Sequence, residues 1–115
     1  YNDGSNNTTT VSGSITTTGN DGYGIYNVVD NNKTTVSGSI VTTGEGGHGI
    51  VNYGDSNTTT VSGSINTAGG LSAGIWNAGN NNTTTISGTV KATGTKSAAL
   101  YNECIVQGVM ATASR

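Results

Sequence analysis

The sequence predicts an all-β fold, a right-handed parallel β-solenoid wound from 25-residue coils, and three observations predict it. Val11-Ser12-Gly13-Ser14-Ile15 recurs at positions 36–40, 61–65 and, as Ile86-Ser87-Gly88-Thr89-Val90, at 86–90, with a constant spacing of 25. Gly24-Ile25-Tyr26-Asn27 recurs at the same spacing at 49–52, 74–77 and, relaxed, at 99–102. The composition is the third: 31% hydrophobic, 9% charged, 19 glycines, and neither proline nor phenylalanine in 115 residues. That is too little apolar material for a round core, yet disordered chains are usually richer in charge and proline. A thin core shared between stacked modules fits it, because such modules bury apolar surface only against their neighbours.

At 25 residues per turn the 115 residues make about 4.6 coils in one domain, or roughly 22 Å along the axis. The coils fall near 5–29, 30–54, 55–79 and 80–104, with 105–115 as a partial or terminal coil. Parallel coil-to-coil pairing and right-handed winding follow from the crossover preference. Tyr1-Asn2 stands nine residues before Val11, as Tyr26-Asn27 stands before Val36, so the chain opens inside a repeat. At the other end Val106-Gln107-Gly108-Val109-Met110 imitates the Val-Ser-Gly-Ser-Ile block only four residues after Asn102. Five loop residues are expected to be missing there, with Val106, Gly108 and Met110 inward. An excised segment, or one subunit of a stack that self-associates end to end through exposed strand edges, is the expectation.

Within each coil the elements follow in order. Thr8–Thr18 alternates with period two, so Val11, Gly13 and Ile15 point inward and Thr8, Thr10, Ser12, Ser14 and Thr16 outward. Lys33 and Lys91 fall in the Thr8 and Thr16 columns, both outward. Gly19, Gly44, Gly69 and Gly94 mark a corner, and a variable stretch follows. A short strand comes next, with Ile25, Ile50, Ile75 and Leu100 inward. Asn/Asp/Ser clusters at 5–7, 30–32, 55–57 and 80–82 close the coil, since these side chains cap turns and tolerate left-handed backbone. Asn2, Asn27, Asn52, Asn77 and Asn102 form an invariant column whose amides would lie about 4.8 Å apart. A structural asparagine ladder is expected, with a hydroxyl ladder at Thr9, Thr34, Thr59 and Thr84 beside it.

Chemistry is sparse. The six acidic residues are spread over turns, and Asp30 and Asp55 share a repeated turn column, a poor place for a unique acid–base pair. His48 has no second histidine, and the single Cys104 lies two coils away, so neither a zinc site nor a disulfide framework is expected. Gly19-Asn20-Asp21-Gly22 does not repeat as a calcium motif. No cofactor and no enzymatic activity are expected. A net charge of −2 with scattered basic residues gives no footprint for nucleic acid, and no apolar run is long enough to cross a membrane as a helix. Asn7, Asn32, Asn57 and Asn82 are formal glycosylation sequons.

Two outward features remain. Thr10, Thr35, Thr60 and Thr85, with Ser12, Ser37, Ser62 and Ser87, make a candidate hydroxyl face. Tyr1, Tyr26, Val51, Trp76 and Tyr101 form a mostly aromatic stripe, of which Tyr26, Trp76 and Tyr101 are the candidate binding residues for host glycans or a surface protein. The pattern Asn-Asn-Thr-Thr-Thr-Val-Ser-Gly-Ser-Ile, continued by Gly-Tyr-Gly-Ile-Tyr-Asn, resembles the passenger repeats of bacterial autotransporters and large filamentous surface adhesins. The resemblance covers nearly the whole chain. It implies a β-helix exported to the cell surface or beyond, acting as a rigid stalk or adhesive surface. A self-assembling fibre subunit is one alternative. The other is an ice-binding solenoid, because Thr8, Thr10, Ser12, Ser14, Thr16 and Thr18 read as one hydroxyl-bearing face.

Overall fold

The structure, a computed structural model, describes residues 1–103 and the backbone of 107–111. It is the all-β parallel solenoid that the 25-residue period predicts. Each full coil carries three strands. In the first coil they are β1 (Thr8–Val11), β2 (Ser14–Thr17) and β3 (Ile25–Asn27). The next repeats are β4 (Lys33–Val36), β5 (Ser39–Thr42) and β6 (Ile50–Asn52), then β7 (Thr58–Val61), β8 (Ser64–Thr67) and β9 (Ala73–Asn77). β10 (Asn82–Ile86), β11 (Thr89–Ala92), β12 (Ala98–Asn102) and β13 (Gln107–Ala111) complete the set. Like strands stack into three parallel sheets, ordered β1-β4-β7-β10-β13, β2-β5-β8-β11 and β3-β6-β9-β12. Every pairing keeps the 25-residue register, as in Val11↔Val36, Ile40↔Ile65 and Ile50↔Ile75.

The core is a set of stacked columns. Val11, Val36, Val61 and Ile86 meet Ile40, Ile65 and Val90 and the Ile25, Ile50, Ile75 column in one continuous cluster. Burying each such side chain contributes about 1.5–3 kcal/mol. On the other side the interior is polar. Asn27, Asn52 and Asn77 are buried together with Thr34, Thr59 and Thr84.

Two expectations need correction. The stretch 8–18 is not one strand. A bend at Ser12-Gly13, repeated in each coil, splits it between two sheets. Gly13 therefore lies at a corner and not in an inward strand position. Its equivalents explain the residue type: a Cβ on Gly38 would lie 1.8 Å from the Gly13 carbonyl oxygen, and one on Gly63 would lie 1.9 Å from that of Gly38. Only glycine lets the coils stack at strand spacing there. The corner also separates Thr8 and Thr10 from Ser14, Thr16 and Thr18, so the hydroxyls do not form a single face.

The second correction concerns the last strand. β13 pairs with β10 through Asn82↔Gln107, Thr84↔Val109 and Ile86↔Ala111. The 25-residue register is kept and no loop residues are missing. Gly108 aligns with Thr83 and Met110 with Thr85, not with Gly88 and Val90 as a shortened loop requires. Val106 and Cys104 lie outside the described residues.

Candidate functional site

The asparagine column is a hydrogen-bonded ladder. Each Nδ2 donates to the Oδ1 of the next coil, at 2.6 Å from Asn2 to Asn27, 2.7 Å from Asn27 to Asn52, 2.8 Å from Asn52 to Asn77 and 2.9 Å from Asn77 to Asn102. The same nitrogens donate across the interior to Thr9, Thr34, Thr59 and Thr84 Oγ1 at 3.0–3.2 Å. Both amide hydrogens are thereby used, and the buried polar columns satisfy each other.

A second ladder lies in the closing turns, where the sequence suggested only caps. Asn32, Asn57 and Asn82 Oδ1 accept the backbone N–H of Asn7, Asn32 and Asn57 at 2.7–2.8 Å. Asn57 Nδ2 returns to the Gly54 carbonyl at 2.9 Å. Asn6, Asn31, Ser56 and Asn81, one residue earlier, all have positive φ, between 55 and 64°, which suits short polar side chains. The carboxylates of this region serve the same end. Asp30 Oδ1 accepts from Asp55 N and Asp55 Oδ1 from Asn80 N, at 2.8 and 2.7 Å.

The outward surface of the β3-β6-β9-β12 sheet is different in kind. Tyr26, Val51, Trp76 and Tyr101 follow one another in register. The stripe is widened by residues that sequence reading left out of it, namely Tyr23 and His48 from the variable stretches and Tyr53 just after Asn52. Ring centroids are 5.2 Å apart for Tyr23–Tyr26, 5.3 Å for Tyr23–His48, 4.9 Å for His48–Trp76, 5.6 Å for Tyr53–Trp76 and 5.5 Å for Tyr26–Tyr53. These five contacts close a circuit around the one aliphatic position of the stripe. Val51 is accordingly only 1% exposed although it faces away from the core. Tyr1 and Tyr101 extend the chain of rings at 5.4 and 6.0 Å. Tyr23 and His48 share a column that turns to Ala73 and Ala98 in the later coils, and Tyr53, directly after Asn52, is the one ring in its column, so neither column reads as an aromatic stripe.

Burial pushes the His48 pKa below its ordinary value, with Asp21 opposing the shift. His48 Nδ1 accepts the Ala73 N–H at 2.8 Å, so the neutral ring carries its hydrogen on Nε2. Burial, followed by Asp21 and Tyr53, raises the Tyr23 phenol, and burial followed by its tyrosine neighbours raises that of Tyr26.

Two concavities of about 280 and 380 Å³ open beside this surface, and His48, Leu71 and Trp76 line both. Tyr101 and Glu103 complete the first; Asp21, Tyr23 and Glu45 flank the second. The candidate hydroxyl residues lie elsewhere. Thr10, Thr35, Thr60 and Thr85 face outward on the β1-β4-β7-β10 sheet, and Ser12, Ser37, Ser62 and Ser87 sit exposed at the corner beyond it. Among the described residues no group of three or more His, Cys, Asp or Glu side chains is placed to hold a metal ion, and no helix is long and apolar enough to cross a membrane. Comparison of the chain with protein-family models, with curated proteins and with solved structures finds no match.

Proposed function

We propose that this segment is a non-catalytic, rigid β-solenoid of an extracellular or cell-surface protein, with the aromatic side of its third sheet as the binding surface. The contiguous run of rings from Tyr1 to Tyr101 carries this reading. Isolated exposed apolar residues are ordinary on a folded protein, whereas a continuous aromatic patch marks an interaction surface. The resemblance to autotransporter and filamentous-adhesin repeats points the same way. The two asparagine ladders supply the rigidity that a presenting surface needs. The corner at Ser12-Gly13 takes away the single hydroxyl plane on which an ice-binding reading rested.

The test is retention of the purified chain on an array of immobilised glycans and extracellular-matrix proteins. Retention is expected, lost on Tyr26→Ser with Tyr101→Ser and kept on Thr60→Ser with Ser62→Ala. No retention on any spot, or loss caused by the hydroxyl-side pair alone, would overturn the proposal.

A further inference from the structure

Coil three departs from the first two coils around the groove beside Trp76. The turn column Asp21, Gly46, Leu71 and Lys96 has positive φ throughout, from 53 to 68°. Aspartate and glycine suit that backbone, whereas leucine pays a steric cost there. Leu71 nonetheless holds it with its side chain 56% exposed, so no core packing offsets the strain. One residue on, Ser72 replaces the glycine of the first two coils. There, Thr17 and Thr42 Oγ1 donate to the Gly22 and Gly47 carbonyls at 2.7 and 2.6 Å. In coil three the equivalent Thr67 Oγ1 is buried without a partner among the described residues, and so is Trp76 Nε1. Two of the three such atoms thus fall in this coil, the third being Asn82 Nδ2. Of these residues Leu71, Ser72 and Trp76 line the concavities, while Thr67 lies in the interior behind them; strain beside an unmet hydrogen bond points to a site kept for a reason other than stability.

The groove's chemistry indicates its occupant. Leu71, with His48 and Trp76, lines both concavities, which lie near the lower end of the usual range for ligand sites, about 300–1,000 Å³. Each side offers ring surface from Trp76, joined by Tyr101 on one side and Tyr23 on the other. Each also offers the His48 ring and at least one carboxylate, Glu103 on one side and Asp21 with Glu45 on the other. Apolar C–H faces packed on rings, with hydroxyls able both to donate to carboxylates and to accept from an imidazole N–H, describe a sugar. Among the described residues no lysine or arginine lines either concavity. The nearest cation in the column is Lys96, one coil beyond Leu71. Three carboxylates without a lining cation repel an anionic ligand.

We infer that this groove binds a neutral oligosaccharide, with one sugar unit in each of the two concavities that share Leu71. The inference rests on the aromatic surface being the binding face.

Trp76 is the only tryptophan, so its fluorescence reads the groove directly. The intact chain is titrated with neutral cello-, malto- and galacto-oligosaccharides, and with oligogalacturonate and sialyllactose. A saturable emission change is expected with at least one neutral series, and binding of the acidic sugars weaker by about tenfold or more. Leu71→Gly relieves the backbone, so its melting temperature should hold or rise while affinity falls about tenfold for the lost apolar contact. No saturable change with any neutral series, equal binding of acidic sugars, or undiminished binding by a folded Leu71→Gly variant would each overturn the inference. Retention on protein spots of the array with no sugar response leaves the adhesive reading standing and overturns the saccharide inference. Failure of both assays overturns the two together.

Discussion

Asn52 Nδ2 donates to Asn77 Oδ1 at 2.8 Å and, with its other hydrogen, to Thr59 Oγ1 at 3.1 Å, while Asn52 Oδ1 accepts from Asn27 at 2.7 Å. One amide therefore joins three coils and two interior columns at a position with no solvent access. Removing it strands three polar partners, each costing about 1–3 kcal/mol when left unsatisfied. Asn52→Ala should lower unfolding free energy by about 3 kcal/mol or more in urea titrations, against under about 0.5 kcal/mol for exposed Ser62→Ala. Equal midpoints for the two variants would contradict the ladder's structural role.

The corner glycines make a sharper contrast within one motif. A Cβ on Gly63 would lie 1.9 Å from the Gly38 oxygen, whereas one on Gly13 meets nothing within 4 Å. Gly63→Ala should therefore destabilise by more than about 3 kcal/mol, or prevent folding, since the obstructing atoms are backbone. Gly13→Ala should change the midpoint by under about 0.5 kcal/mol. The measurement is the pair of chemical melts, and a tolerated Gly63→Ala would mean that the coils can separate at this corner.

The fold was legible because the inter-coil contacts repeat at 25 residues. Val11, Ile15, Ile25 and Asn27 each announce their columns by recurrence alone. The corner at Ser12-Gly13 was not legible, because Ser-Gly-Ser continues the period-two alternation and the steric demand on glycine comes from the coil below. The last strand misled for the opposite reason. Gly108 copies a motif glycine locally, while the pairing of Ile86 with Ala111 obeys the global register. Of the candidate site, Tyr26, Trp76 and Tyr101 were visible as a column. Tyr23, His48 and Tyr53 were not, because the Tyr23–His48 column ends in Ala73 and Ala98, Tyr53 has no aromatic equivalent, and the three meet the stripe only when the coils stack.

Val51 tests that last point. Column logic favours an aromatic residue between Tyr26 and Trp76, but the surrounding rings already cover the position. Val51→Trp should destabilise by about 1–3 kcal/mol through overpacking, read as a lower thermal midpoint. A stabilised variant would show that the rings part freely.

His48 should couple stability to pH. Its pKa is lowered in the folded chain, so the unfolded state takes up a proton first as pH falls. The contribution is fully present above the unfolded value near 6.5 and is lost as pH drops from there through the depressed folded value. Protonating Nδ1 also breaks the bond from Ala73. Thermal melts between about pH 8 and pH 5 should show a falling midpoint that is flatter in His48→Gln. Identical profiles for the two proteins would remove His48 from the account.

The most direct test of the binding surface is a map of backbone and indole amide shifts in ¹⁵N-labelled protein as a retained glycan from the array is added. The account predicts that perturbations concentrate at His48, at Leu71 to Ala73, at the Trp76 indole and at Tyr101, with Thr10, Thr35, Thr60 and Thr85 unmoved. Perturbations centred on that threonine column, with the Trp76 indole unchanged, would contradict it.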